Sequence, residues 1–257
     1  MFETIKYEVK NNVAWITLNR PYKLNAFIRQ LNQEIQKAVK ESSKNEEVRA
    51  IVITGEGRAF CSGQDLSEVD ESMDHGEVLR QHYGPMVKEI EQCEKPVIAA
   101  VNGVAAGAGF SLALACDFRI VSEKASFLQA FVHVGLVPDS GNLYYLSKIV
   151  GYAKALELAV FGEKIKAEEA EKLGLVTRII SAEQWVEETE AFAERIASMP
   201  TKAIGLMKRL LKGSADLSFN QYLEKEACAQ RIAGMTTDHR EGVTAFLEKR
   251  RPAFHGN

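Results

Sequence analysis

The residues best suited to chemistry lie between Lys95 and Gly141. Val97–Val101 is a short apolar run bounded by Pro96 and Gly103, the pattern of a buried strand. It leads into Gly103, Gly107 and Gly109, with only small residues between them, and the apolar segment Phe110–Cys116 follows. Glycine lets backbone N–H groups approach a bound atom closely. A helix N-terminus turns unpaired donors and the positive end of its dipole toward negative charge. The implied chemistry is stabilisation of an anion by backbone donors. A tight turn whose glycines only relieve packing is the alternative. The stretch GEGRAFCSGQDLSEV, after the apolar run Ala50–Thr54, repeats the logic. A strand ends at Gly55-Glu56-Gly57, Gly63 lies in a loop, and helix is expected from about Asp65, a residue well typed to cap it. Cys61, beside that loop, reads as a packed small side chain rather than a nucleophile.

The elements that must hold these loops follow from periodicity. Ile5–Val9 and Val13–Leu18 flank Asn11-Asn12 and predict a hairpin, which Pro21 stops. Asn25 is a candidate cap for a helix from near Ala26, with Leu31, Ile35 and Val39 on its apolar face. Ser67–Gln92 reads as a mobile polar helical segment, with a solvated helix covering the core as the alternative, and Phe118–Val121 as a further strand. Ala125–Phe127 leads into a turn-rich stretch ending at Gly141. Helices are expected over Asn142–Val150, Ala153–Phe161 and Lys166–Leu173, the last ended by Gly174. Val176–Ile180 reads as the final strand. Helices over Trp185–Met199, Lys202–Leu211, Phe219–Gly234 and His239–Lys249 complete the chain. Strands alternating with helices argue an α/β fold with crossover connections and a helical C-terminal appendage.

Composition narrows the class. The chain has 257 residues, 46% hydrophobic and 26% charged, with a net charge of −3. That balance gives no electrostatic case for nucleic acid or an anionic membrane. No apolar run reaches the roughly 18 residues that span a bilayer. The N-terminus has no secretory h-region. Cys61, Cys93, Cys116 and Cys228 are widely spaced, and no metal-ligand spacing exists among cysteines or histidines. A cytoplasmic protein with reduced thiols and no bound metal is expected.

Four motifs in order, LNRPYKLNA (Leu18–Ala26), GRAFCSGQDL (Gly57–Leu66), KPVIAAVNGVAAGAG (Lys95–Gly109) and REGVTAFLEKRRPAF (Arg240–Phe254), span nearly the whole chain. Together they resemble the enoyl-CoA hydratase/isomerase (crotonase) superfamily, and most closely its phenylacetate-pathway isomerase branch. The resemblance implies an α/β, crotonase-like spiral of ββα units in residues 1–195 and a C-terminal helical trimerisation region in residues 196–257. It implies an acyl-CoA thioester substrate, with coenzyme A as part of the substrate and no separate cofactor. A homotrimer or dimer of trimers is expected, with neither nucleic acid nor membrane as partner. Carried over by motif position, the backbone N–H groups of Gln64 and Ala108 become the two oxyanion-hole donors. Lys23, Leu24 and Ala26 line the CoA tail, with Asp65 and Leu66 flanking the first donor.

Such a hole stabilises an enolate oxygen, each donor being typically worth about 3 kcal/mol in the transition state. A separate group must move the proton. Hydratases of this superfamily use two glutamates around one water; by position these are Ser111 and Phe131 here, neither of them a carboxylate, and both are carried over as substrate-binding positions. Asp139, in VPDSG, matches the acid/base aspartate of the isomerase branch. Burial beside Phe131 and Val137 should raise its pKa. A helix-capping role is the alternative reading of the residue alone. Asn142 stands where that branch commonly has glycine. The resulting expectation is isomerisation of an acyl-CoA, either the ring 1,2-epoxide of phenylacetyl-CoA or a 3-enoyl-CoA. Hydration of a 2-enoyl-CoA is the first alternative. Non-catalytic binding of acyl-CoA or RNA is the second, the latter through the basic helix Lys202–Lys212. Tyr144 and Tyr145 could line the acyl pocket or simply pack. Lys249, Arg250 and Arg251 read as a solvated basic tail before a CoA-phosphate contact.

Overall fold

The chain opens with the expected hairpin. β1 (Ile5–Lys10) pairs antiparallel with β2 (Val13–Leu18). Asn11 and Asn12 turn the chain at φ of 51° and 62°, the left-handed pair that suits a two-residue turn between twisted strands. The remaining strands are β3 (Ala50–Gly55), β4 (Ala59–Cys61), β5 (Val97–Val101), β6 (Val104–Ala106), β7 (Phe118–Ser122), β8 (Ser126–Leu128), β9 (Lys164–Lys166) and β10 (Arg178–Ile180). They form two sheets, a six-stranded one in the order β1-β2-β3-β5-β7-β10 and a four-stranded one in the order β4-β6-β8-β9. This computed structural model describes residues 2–68 and 72–257.

The helices are α1 (Arg29–Lys44), α2 (His75–Val78), α3 (Gly84–Gln92), α4 (Ala108–Ala115), α5 (Asn142–Val150), α6 (Tyr152–Phe161), α7 (Ala167–Lys172), α8 (Trp185–Ala197), α9 (Thr201–Gly213), α10 (Phe219–Gly234) and α11 (Thr237–Leu247). A strand of the large sheet, a short strand of the small sheet and then helix recur from β3, from β5 and from β7, which is the ββα spiral. The domain division expected at 195/196 falls inside α8.

Both faces of the large sheet are covered, which explains the continuous apolar runs at its centre. Along β3, Ile51 and Ile53 face one core cluster while Ala50 and Val52 face the other. Val97, Ala99 and Val101 of β5 join the first cluster, and Ile98 and Ala100 the second. The second cluster is closed by Ala193 and Ala197 of α8. Leu31, Ile35 and Val39 of α1 are fully buried, as their spacing requires.

Several local expectations are corrected. Asn25 caps no helix: α1 begins at Arg29 with no side-chain cap. Asn25 instead sits at φ 56°, accepts from the Arg20 N–H, and donates to the carbonyls of Glu56 and Ala59. The described residues after Asp65 form a 3-10 turn, Leu66–Glu68, where Asp65 Oδ1 accepts from the Ser67 N–H, and the longer helix expected there is not seen before residue 69. The expected cover Ser67–Gln92 includes residues 69–71, which lie outside the described residues. Its second half is no solvated face, because Tyr83, Met86, Val87 and Ile90 are buried. The small sheet went unread in the periodicity because three-residue strands hold no usable alternation.

Candidate active site

The two glycine loops meet. β4 and β6 pair in parallel, bringing the end of each strand, and the loop beyond it, to the same edge. A Cβ on Gly63 would stand 2.9 Å from the Ala106 carbonyl oxygen and 3.5 Å from the Ala108 nitrogen. Gly63 also has φ +93°, a conformation open to glycine and strained for other residues. A Cβ on Gly109 would collide with the Cys61 carbonyl. The glycines therefore permit backbone-to-backbone approach between the loops. Neither the Gln64 N–H nor the Ala108 N–H bonds to another described residue. Ala108 is the first residue of α4, so its N–H belongs to the unpaired first turn.

The LNRPYKLNA loop docks on the first glycine loop through its backbone. Ser62 N–H donates to the Leu24 carbonyl at 3.0 Å, and Phe27 N–H to the Gly63 carbonyl at 2.7 Å. Leu24 turns at φ 52°. Ala26 is buried, while Lys23 is exposed at the rim, and its charge acts on Asp65. Leu66 is 65% exposed. Asp65 is buried; its carboxylate accepts from the Ser67 hydroxyl at 2.6 Å and pairs with Arg20 at 3.0 Å. The Ser67 hydroxyl first, then the Arg20 guanidinium, hold its carboxyl down at about 2.

Asp139 is placed differently. It is half-buried, and its Oδ1 accepts from the Ser140 hydroxyl at 2.9 Å. The helix beyond it, α5, has Gly141 as N-cap and no side-chain cap, so the carboxylate is not spent on capping. Burial pushes its pKa up, opposed by the Ser140 hydroxyl and by the charge of His75. Val137 is 78% exposed and cannot supply the apolar wall expected of it.

Phe131 is buried in the 3-10 turn Ala130–Val134. Its ring reaches Gly107, with Cζ 3.9 Å from where a Gly107 Cβ would stand. Ser111 is fully buried and its hydroxyl is committed, donating to the Gly107 carbonyl and accepting from Asn142. Gln64, Ala108 and Phe131 thus share one locus, with Ser111 one helical turn behind it.

Tyr83 was not singled out in the sequence. Its buried hydroxyl donates to Gln64 Oε1. Burial first, then the charge of Asp139, push its pKa up, keeping the phenol neutral. It ends the π-helical turn Leu79–Tyr83, a distortion frequent at functional sites. No local pattern in a polar helix reports such a turn.

Cys61 is buried, its thiol pushed up to about 12 by desolvation. The basic groups of α9 are engaged: Lys202 and Arg209 with Glu94, Lys208 with Asp117, Lys212 with Glu91. Arg250 is held by Glu241 and Glu248. Tyr145 bonds Glu91, and Tyr144 is half exposed. Among the described residues no helix is long and apolar enough to cross a membrane, and no group of three His, Cys, Asp or Glu could hold a metal ion. Apolar grooves of about 680 and 480 Å³ open between α9, α10 and α11. They contain none of the loop residues above.

Comparisons with known proteins identify the family and the fold. The family model described as enoyl-CoA hydratase/isomerase matches residues 8–257. The chain is 38% identical to 1,2-epoxyphenylacetyl-CoA isomerase of Escherichia coli, covering 100% of each chain. It is 42% identical to a probable enoyl-CoA hydratase of Rhodobacter capsulatus, covering 99% of each. A crystal structure of an enoyl-CoA hydratase subunit I from Geobacillus kaustophilus superposes with a TM-score of 0.93 at 38% identity, over 100% of this chain and 99% of that one.

Proposed function

Because the chain belongs to the enoyl-CoA hydratase/isomerase family, we propose that it is an acyl-CoA isomerase working through a thioester enolate. In this reading the Gln64 and Ala108 N–H groups hold the thioester oxygen. They stabilise it most when a proton leaves the neighbouring carbon and the oxygen becomes negative. Asp139 takes that proton and returns it two carbons along the conjugated system. Its raised pKa suits proton abstraction, since a carboxylate made more basic by burial takes up a proton more readily. Lys23, Leu24, Ala26, Asp65 and Leu66 form the CoA side of the site. No cofactor beyond the CoA of the substrate takes part.

The observation that carries the reading is the pair of non-carboxylate groups at the alternative positions. Hydration needs a water held and activated over the acyl chain. Phe131 presents a ring there, and the Ser111 hydroxyl is already paired. Asp139 is a half-buried carboxylate free of a capping role. The reaction is a shift of a double bond between positions 3 and 2 of an enoyl-CoA, or conversion of the ring 1,2-epoxide of phenylacetyl-CoA to its seven-membered oxepin form. A panel of 3-enoyl-CoA, 2-enoyl-CoA and epoxyphenylacetyl-CoA, with Asp139→Asn as control, tests it. Rapid hydration of crotonyl-CoA by the purified protein would overturn it.

The C-terminal helices expose Met235, Phe246 and Leu247 at 76%, 82% and 74%, which supports assembly as a homotrimer or dimer of trimers. The ion pairs of α9 leave little free charge for RNA. The free cysteines fit a reducing, cytoplasmic setting.

A further inference from the structure

Asn142 carries an inference that rests on Asp139 being the acid/base group. Three buried polar side chains make one continuous chain of hydrogen bonds. Gln129 Nε2 donates to Asn142 Oδ1 at 2.6 Å, and Asn142 Nδ2 donates to Ser111 Oγ at 3.1 Å. Ser111 Oγ then donates to the Gly107 carbonyl at 3.2 Å. Their relative exposures are 0%, 1% and 0%, so each depends on the others for its hydrogen bonds. With Asn142 Nδ2 facing Ser111 Oγ, the amide nitrogen can only donate, so the single Ser111 proton goes to Gly107, the residue just before Ala108.

The same asparagine grips the other half of the site. Its backbone N–H donates to the Asp139 carbonyl at 2.9 Å. Between the two residues the chain turns through Ser140 at φ 55° and Gly141 at φ 78°. A serine in that region is strained and persists only where its surroundings hold it. The Ser140 hydroxyl is turned to Asp139, so the turn is anchored to the core at Asn142.

We propose that Asn142 is a positioning residue that fixes the Asp139 carboxylate relative to the Ala108 N–H. It joins the turn bearing the base to the N-terminus of α4 through Ser111. A displacement of about 1 Å at such a site can cost on the order of 100-fold in rate.

The test follows isomerisation of 3-hexenoyl-CoA or epoxyphenylacetyl-CoA by Asn142→Ala, Asp139→Asn and the double variant, with thermal melts by circular dichroism. Asn142→Ala should lower kcat about 10- to 100-fold with KM nearly unchanged. Its acid limb of kcat/KM should move to lower pH, as the loosened turn admits water to Asp139. Against Asp139→Asn, the second substitution should leave the slow residual rate unchanged, because the group being positioned is gone. If Asn142→Ala does not fold, Ser111→Ala cuts the same chain at its far end and should show the same pattern more weakly. Equal losses in both backgrounds, or a wild-type kcat and pH profile for Asn142→Ala, overturn the positioning role while leaving the base assignment intact. An active Asp139→Asn enzyme, or a wild type that isomerises neither 3-hexenoyl-CoA nor epoxyphenylacetyl-CoA, overturns the base assignment itself.

Discussion

Asp65 and Asp139 are the same residue type in similar settings, each beside a glycine loop and just ahead of a helical turn. Their surroundings separate them. Asp65 is met by the Ser67 hydroxyl and the Arg20 guanidinium, and its carboxyl is held at about 2. Asp139 has the Ser140 hydroxyl and a half-buried setting, and its carboxyl is pushed up. One aspartate is a permanent anion that ties the LNRPYKLNA loop to the first glycine loop. The other is poised to change its protonation. Burial alone does not make a carboxylate reactive; burial without enough donors does.

The largest effect should come from Asp139→Asn. Loss of a positioned acid/base should lower kcat by about 10²–10⁴-fold, whereas Asp65→Asn should keep most of the catalytic rate. The stability signs oppose each other as well. Asp139 has a folded pKa above its ordinary value of 3.8. Its contribution is full below that value and is lost as pH rises through the raised pKa. Asp139→Asn should therefore melt at a higher temperature than wild type at pH 7, even as activity disappears. A variant that loses both activity and stability would break the comparison.

Arg20→Ala should have the largest effect on stability. It leaves the Asp65 charge buried without its cation and removes a donor to the Ala26 carbonyl. Breaking a buried pair from one side costs about 3 kcal/mol, readable by urea unfolding. The linkage of Asp65 runs opposite to that of Asp139. Its contribution is present above its ordinary value of 3.8 and is lost as pH falls through about 2. Asp65→Asn should flatten the acid-unfolding curve over that interval. Ser67→Ala should cost less, about 1 kcal/mol, the typical net worth of one hydrogen bond.

The smallest effect should come from thiol alkylation. Cys61, Cys93 and Cys116 are buried, and Cys228 is exposed. Iodoacetamide at pH 8 should modify Cys228 alone, as read by mass spectrometry, without loss of activity. Inactivation on labelling of Cys61 would contradict the inert reading of that thiol.

Much of the fold was legible in the sequence. The strands of the large sheet alternate between two apolar clusters, and such runs announce themselves. Phe219–Gly234 was bounded correctly by its own residues, with Ser218 and Gln221 forming a capping box. The small sheet was legible through the family resemblance, since its short strands carry no period of their own. Asn25 misled because asparagine suits both a cap and a left-handed turn, and the carbonyls of Glu56 and Ala59 decided between them.

The sequence by itself determined which residue types are available: glycines where two loops touch, phenylalanine and serine at positions 131 and 111, and an aspartate at 139. These are local facts, fixed by side-chain chemistry and backbone freedom. Only the tertiary structure decided what those residues do. It brought Tyr83 from a π-helical turn onto Gln64, spent the Ser111 proton on Gly107, and supplied Asp65 with the donors that Asp139 lacks. A hydrogen bond depends on partners tens of residues away and on the water that packing removes, and neither is written in the neighbouring sequence.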